Sequence, residues 1–306
     1  MTERYLYRLP NELLLHIFTP IPTPELLPLT TISHRIYTLI LRILHNRLVA
    51  AAELHSHSVL LECFHPSAKL TEPPYFCTYR GTDGLSRYND YDPSKTDIGR
   101  LGEMYNMYSR FRPHRRELEP DQRRVKPRPG DVPGSRTFPG AVQERYEGDD
   151  AVKQLLSLEA GELFTQLIAQ TNLVRIGVHN LFTNFVDIEE GVVRVWRDWL
   201  RETAEVGRGK EVVGETAEEE KADLEDSRIL WVSPRRDSGI RFIVRERKLR
   251  RDVPILISSD EDMPVTYEIE YDELLVRTAH LLLMLEKSML QEDNSSGKAV
   301  VFGSFG

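Results

Sequence analysis

Hydrophobic periodicity changes once along this chain, near residue 55, and that change constrains the fold more than any single motif. Before it, Leu and Ile recur at helical spacing between closely set prolines. Leu13, Leu14, Ile17 and Phe18 follow i, i+1, i+4, i+5 spacing, one face of a short helix that tolerates Pro10 in its first turn. Pro20, Pro22 and Pro24 close that helix. Thr23 is placed to cap a second one, with Pro24 at its first position and Glu25 against the positive end of the dipole. Pro28 falls inside this second segment, removes a backbone bond and predicts a kink or a short helix. A longer helix is predicted over residues 33–54, where Ile36, Leu39, Ile40, Ile43, Leu44, Leu48 and Ala51 keep a 3.6-residue stripe.

After residue 55 the pattern turns to β-branched and aromatic runs bounded by Pro and Gly. Strands are predicted over 58–65, 75–79, 173–179, 192–199, 229–232, 240–247, 253–257 and 265–271, with a turn at 187–191. Several short strands at irregular spacing suggest a mostly antiparallel, sandwich-like or barrel-like sheet. A closing helix is expected with Asp272 as cap and Leu274, Leu275, Thr278, Leu281, Leu282, Leu285 and Met289 on one side. Two interruptions are too polar to offset their ordering entropy and are expected to be disordered. One carries eight basic against three acidic residues over 110–128 and continues Pro/Gly-rich to about 150. The other carries ten acidic against three basic over 202–226. The fold class is therefore α+β: helices over 6–54, a β domain over 55–290 with insertions near 110–150 and 202–227, and a loose tail over 291–306.

Charge and cysteine content remove whole classes of function. A net charge of −8 argues against a chain that wraps nucleic acid along a face. Cys63 and Cys77 alone exclude a disulfide scaffold and any zinc module needing four thiolates. No run reaches the ~18 apolar residues of a membrane span, and residues 1–8 lack the apolar block of a signal peptide. A soluble chain of the cytoplasm or nucleus is expected, without membrane or nucleic-acid partners.

Enzyme motifs are missing. Gly303-Ser304-Phe305-Gly306 falls one residue short of a nucleophile elbow, and Gly209-Lys210-Glu211 lacks the spacing of a phosphate loop. His55, His57, Cys63 and His65 would share one strand face, but an extended strand spreads them at ~3.3 Å per residue, beyond one ion's reach. No catalytic residue, metal or cofactor is therefore assigned. The aromatic and basic stretch over 105–116 reads as a loop covering the sheet with Tyr105, Tyr108 and Phe111. Trp196, Arg197 and Trp199 are core and rim of a strand end or the lining of a recognition surface.

Leu9-Pro10-x-Glu12-Leu13-Leu14-x-x-Ile17-Phe18, followed by Glu25-Leu26-Leu27-x-Leu29-x-x-Ile32-Ser33, resembles the F-box in order, spacing and residue class. The match covers roughly residues 6–50 and is closest in style to filamentous-fungal F-box proteins. Pro28 stands where that family usually has a charged residue, and Tyr37 where Trp or Phe is more common. The resemblance implies a three-helix F-box and an adaptor rather than a catalyst. Such proteins bind a Skp-type adaptor, and through it a cullin, and present a protein substrate for ubiquitin conjugation. It further implies that Leu9, Pro10, Leu13, Ile17, Leu26, Leu27, Leu29 and Ile32 face the adaptor, while Trp196, Arg197 and Trp199 are candidates for substrate contact. A non-catalytic ligand- or sugar-binding sandwich, with the helices serving only its own packing, is the alternative expectation.

Overall fold

A computed structural model describes residues 8–68, 74–85, 99–115, 151–176, 182–211, 224–247 and 263–294. The first helix, α1, runs Asn11–Phe18, and α2 is a single turn, Thr23–Leu26, continued by a 3-10 segment Leu27–Thr31. Pro28 thus tightens the second segment, as its missing N–H predicts. The third helix, α3, spans His34–Glu53: the Ser33 side chain accepts from the Ile36 N–H at its start, and Leu54 ends it at φ 47°.

Thr23 does not cap α2. It is the first helical residue, and its N–H and hydroxyl both donate to the Glu286 carboxylate, at 3.1 and 2.6 Å. Arg47 completes the knot, donating to Glu286 at 3.0 Å and to the carbonyls of Thr19 and Ile21 at 2.9 and 2.6 Å. The cap is therefore a carboxylate brought from the far end of the chain, which local sequence has no means of announcing.

Among the described residues nine strands follow: β1 His57–Phe64, β2 Tyr75–Thr82, β3 Tyr108–His114, β4 Val152–Leu158, β5 Phe164–Ile176, β6 Phe182–Trp196, β7 Ile229–Trp231, β8 Ser238–Arg247 and β9 Val265–Arg277. They form one antiparallel sheet in the order β6-β5-β1-β2-β3-β9-β8-β7, with β4 also paired to β9. Of the two expected forms, sandwich or barrel-like, the sheet takes the second: it is a single sheet that curls into a nearly closed barrel. Its two ends meet where Gly191 of β6 lies against Val232, just past β7: a Cβ at Gly191 would stand 2.7 Å from a Val232 methyl and 2.8 Å from its carbonyl oxygen.

Among the described residues three further helices occur: α4 Arg100–Tyr105, α5 Arg197–Glu211 and α6 Thr278–Asn294. Several sequence expectations change here. Residues 110–114, read as the start of a disordered insertion, are β3 at the middle of the sheet, and Phe111 is wholly buried. Residues 202–211 lie in α5 rather than in a disordered tract. Residues 187–191 are not a turn but part of β6, where a bulge shifts the register opposite Thr171 and Asn172. Asp272 is not a cap: it lies within β9 together with Leu274 and Leu275, and α6 starts six residues later. Helical spacing misleads there because Leu274 and Val276 lie in the main core while Leu275 packs with Tyr108 and Ile229 on the other side, so adjacent apolar residues are buried on both faces. The strand expected over 253–257 and most of both insertions fall outside the described residues.

One continuous hydrophobic cluster joins the two segments. It runs from Leu14, Phe18 and Leu26 through the α3 stripe to Val59, Leu61, Tyr75, Phe111, Phe242 and Tyr271, and on to Leu281 and Leu285 of α6. The Tyr271 hydroxyl, buried in it, donates to Gln154 Oε1 at 2.6 Å, which satisfies the one polar atom its ring brings inside. The approach at Gly191 generates a prediction. Gly191→Ala drives a methyl into backbone that has no room to yield, and denaturant titration should show a loss of about 1–3 kcal/mol.

Candidate functional site

Helix α1 is apolar on two sides, and only one of them is used by the core. Leu14 and Phe18 are buried, whereas Leu13 and Ile17, one turn apart, are 48% and 46% exposed. The next turn repeats the division: Leu26 is enclosed, while Leu27 and Ile32 are 39% and 52% exposed at either end of the 3-10 segment. Of the eight residues assigned to adaptor contact, Leu13, Ile17, Leu27, Ile32 and Pro10 stand at the surface. Leu9 and Leu29 are half-buried against the core. Leu26 is a correction to that set: at 0% exposure it is a core residue, because α2 turns it inward under α3.

The backbone carrying these side chains is tied from behind. Arg35 Nε donates to Asn11 Oδ1 at 2.8 Å, and its Nη2 to the Leu9 carbonyl at 2.5 Å, fixing the entry to α1. The Arg47–Glu286 knot fixes its exit. Each of the four aliphatic side chains is about half exposed, so each leaves roughly half of the ~1.5–3 kcal/mol of a fully buried side chain unrealised. The other flank of α1 is polar, a groove of about 500 Å³ lined by Glu12, His16, Thr38 and Arg42 among others.

The second predicted group, Trp196, Arg197 and Trp199, is not one site. Trp196 ends β6 and is 48% exposed, stacked at 5.1 Å on Phe164, its cross-strand partner. Arg197 is structural: its guanidinium donates to the carbonyls of Glu159, Glu162 and Met263 at 2.6, 2.9 and 3.1 Å. Trp199 belongs to α5, where its indole donates to the Ser227 carbonyl at 2.7 Å and its ring meets Phe242 edge-on. Of the three, Trp196 alone is exposed, beside Phe164. Phe164 escaped the sequence analysis because the strand containing it was read only from residue 173.

The chain has no match among family models, curated proteins or solved structures.

Chemistry elsewhere is enclosed. His57 Nε2 lies 3.1 Å from Ser288 Oγ, which also accepts from Asn184 Nδ2 at 2.9 Å. This is nucleophile–base spacing, but Ser288 is 1% exposed and the trio joins β1, β6 and α6. The other histidines of the candidate metal set scatter: His55 faces Glu53 at 3.4 Å and His65 faces Ser67 at 2.6 Å. Among the described residues no group of three or more His, Cys, Asp or Glu side chains could hold a metal ion. On the sheet, Arg241 is buried between Asp272 and Glu273, each 2.8 Å away. Burial still pushes the Glu273 carboxyl above its usual range, against the pull of Arg241 and Arg110.

Both cysteines are buried and free. Burial pushes the Cys63 thiol up to about 12 and Cys77 higher still, so the folded state favours the neutral thiol. Native protein at pH 8 should give no colour with a thiol-exchange reagent, and unfolded protein should give both thiols. The sign for stability follows. The folded thiol is harder to ionise than the unfolded one, so its contribution is complete below pH ~9 and is lost as pH rises toward 12. Rapid labelling of either thiol in the native state would contradict the burial described.

Proposed function

We propose that this chain is the substrate receptor of a Skp–cullin–F-box ubiquitin ligase, holding the Skp-type adaptor through residues 9–32 and a target protein through the β domain. One observation carries the reading: Leu13, Ile17, Leu27 and Ile32 stay exposed on a backbone pinned by Arg35, Arg47 and Glu286. A rigid apolar platform loses little entropy on docking, so the burial it gains goes into affinity. The pattern Leu9-Pro10-x-Glu12-Leu13-Leu14 that resembles the F-box lies on the same helix. Helix α1 then serves two partners, the chain's own core through Leu14 and Phe18 and the adaptor through Leu13 and Ile17.

The mechanism is proximity. A receptor raises the effective concentration of its substrate beside a loaded conjugating enzyme and makes no bond itself. The exposed pair Phe164 and Trp196 supplies large, stiff apolar area of the kind that anchors a protein contact. Arg197 and Trp199 are engaged by internal contacts and take no part in that surface.

The reading is tested with purified Skp-type adaptor and the full chain. Leu13→Glu with Ile17→Glu should abolish co-elution while moving the melting temperature by no more than about 4 °C, because both side chains are half-exposed on the outward side of α1. Leu14→Ala, one residue along, should instead cost about 2–5 kcal/mol of stability. Failure of the wild-type chain to bind the adaptor, or retention by the charged variant, would overturn the assignment.

A further inference from the structure

A tight connection over residues 232–237 joins β7 to β8 and carries Arg235 and Arg236. Arg236 sits at φ 56°, in the left-handed region that disfavours any residue with a Cβ. Such a conformation persists only where neighbours over-determine it, and here they do. The Arg236 N–H donates to the Ser233 carbonyl at 3.1 Å, and the Val232 N–H to the Ser238 carbonyl at 3.1 Å. The Arg236 carbonyl accepts from the Tyr108 hydroxyl at 2.7 Å and from Arg277 Nη2 at 3.3 Å, while the same Nη2 reaches the Arg235 carbonyl at 2.8 Å.

Arg277 is itself immobilised. It is 7% exposed, lies between the rings of Tyr105 and Tyr108 at 4.5 and 5.3 Å, and pairs with Asp237 at 3.0 Å. Burial raises the Tyr108 phenol, so its hydroxyl keeps the proton it donates. A buried arginine, a tyrosine and three strands are thus spent on holding one two-arginine tip.

What the tip presents is positive charge. Arg235 and Arg236 are exposed, and neither guanidinium pairs with a carboxylate among the described residues. Arg236 rests instead over the Trp231 ring at 5.6 Å. Other arginines on the same strands all find carboxylates: Arg228 with Asp226, Arg241 with Asp272 and Glu273, Arg245 with Glu270, and Arg247 with Glu268. The exception falls where the backbone is held most firmly.

We propose that this hairpin docks an anionic segment of a partner protein, with Arg235 and Arg236 taking its carboxylate or phosphoryl groups and Trp231 and the exposed Tyr105 flanking them. Guanidiniums carried on a held backbone gain most from planar, two-oxygen acceptors, because the fork geometry matches two oxygens at once and the backbone needs no further ordering. Two cations on a chain of net charge −8 suit a short acidic stretch better than a nucleic-acid backbone, whose affinity grows with many phosphate contacts. That the segment belongs to the ligase substrate rests on the receptor reading above; anion docking itself does not.

The test is fluorescence anisotropy on the full chain with three labelled peptides: alternating Glu and Ser, the same with every Ser phosphorylated, and the same with Lys for Glu. At least one of the two acidic peptides should bind and weaken as salt rises, and the lysine peptide should not. The tighter of the two acidic peptides identifies the preferred group. Arg235→Ala with Arg236→Ala should weaken binding about tenfold or more. Arg201→Ala with Arg247→Ala removes the same charge from exposed arginines that already have partners, and should leave affinity within about twofold. No binding of either acidic peptide, an equal loss in the control variant, or tighter binding of a poly-dT oligonucleotide would each overturn the proposal. Adaptor co-elution by the Arg235/Arg236 variant, measured alongside, separates a failed docking site from a failed receptor assignment.

Discussion

Burial of α3 along most of its length holds this molecule together. Ten of its twenty residues are buried, Ile36, Leu39, Ile40, Leu41, Ile43 and Leu44 among them, which is more than one stripe of an amphipathic helix. It meets the prolyl turns of the first segment and also α6 from the end of the chain, with Arg47 and Glu286 tying the three together. An ion pair of this kind contributes little by Coulomb attraction alone. Its value lies in direction, since one carboxylate satisfies the orphan N–H at the start of α2 and one guanidinium gathers two carbonyls of the preceding turn.

Because that knot is internal, the outward side of α1 is left with no structural duty. The same eight-residue helix devotes Leu14 and Phe18 to the core and leaves Leu13 and Ile17 uncovered. A helix free to rotate or fray would turn those side chains inward. The ties at Leu9, Asn11, Thr19 and Ile21 prevent it. The sheet shows the same economy. In β9 one edge pairs along β8 while the other is divided between β4 and β3, so a single strand organises half the barrel.

The helical segment was legible because its physics is local. The boundaries of α3 follow from Ser33 as cap and from the apolar stripe, and the structure starts and ends it within a residue or so of 33–54. Strands β1, β2, β7 and β8 were likewise visible from β-branched runs between breakers. Sequence failed where burial is two-sided or charge is paired at long range. β3 reads as a basic loop until Arg110 is placed against Asp83 and Glu273. The second half of β9 reads as helix because both of its faces are apolar. Neither error could be corrected from neighbours in sequence, since the partners lie roughly 30 to 160 residues away.

By itself, then, the sequence determined the class of the fold, the three opening helices and a surplus of Leu and Ile on them, because cap, proline and periodicity act over a few residues. Only the tertiary structure decided which of those side chains remain outside: Leu26 goes in and Leu27 stays out, one position apart. The same holds for Arg235 and Arg236, which nothing nearby in the chain distinguishes from paired arginines. Exposure and charge compensation belong to the assembled surface, and they depend on contacts that form only when distant segments meet.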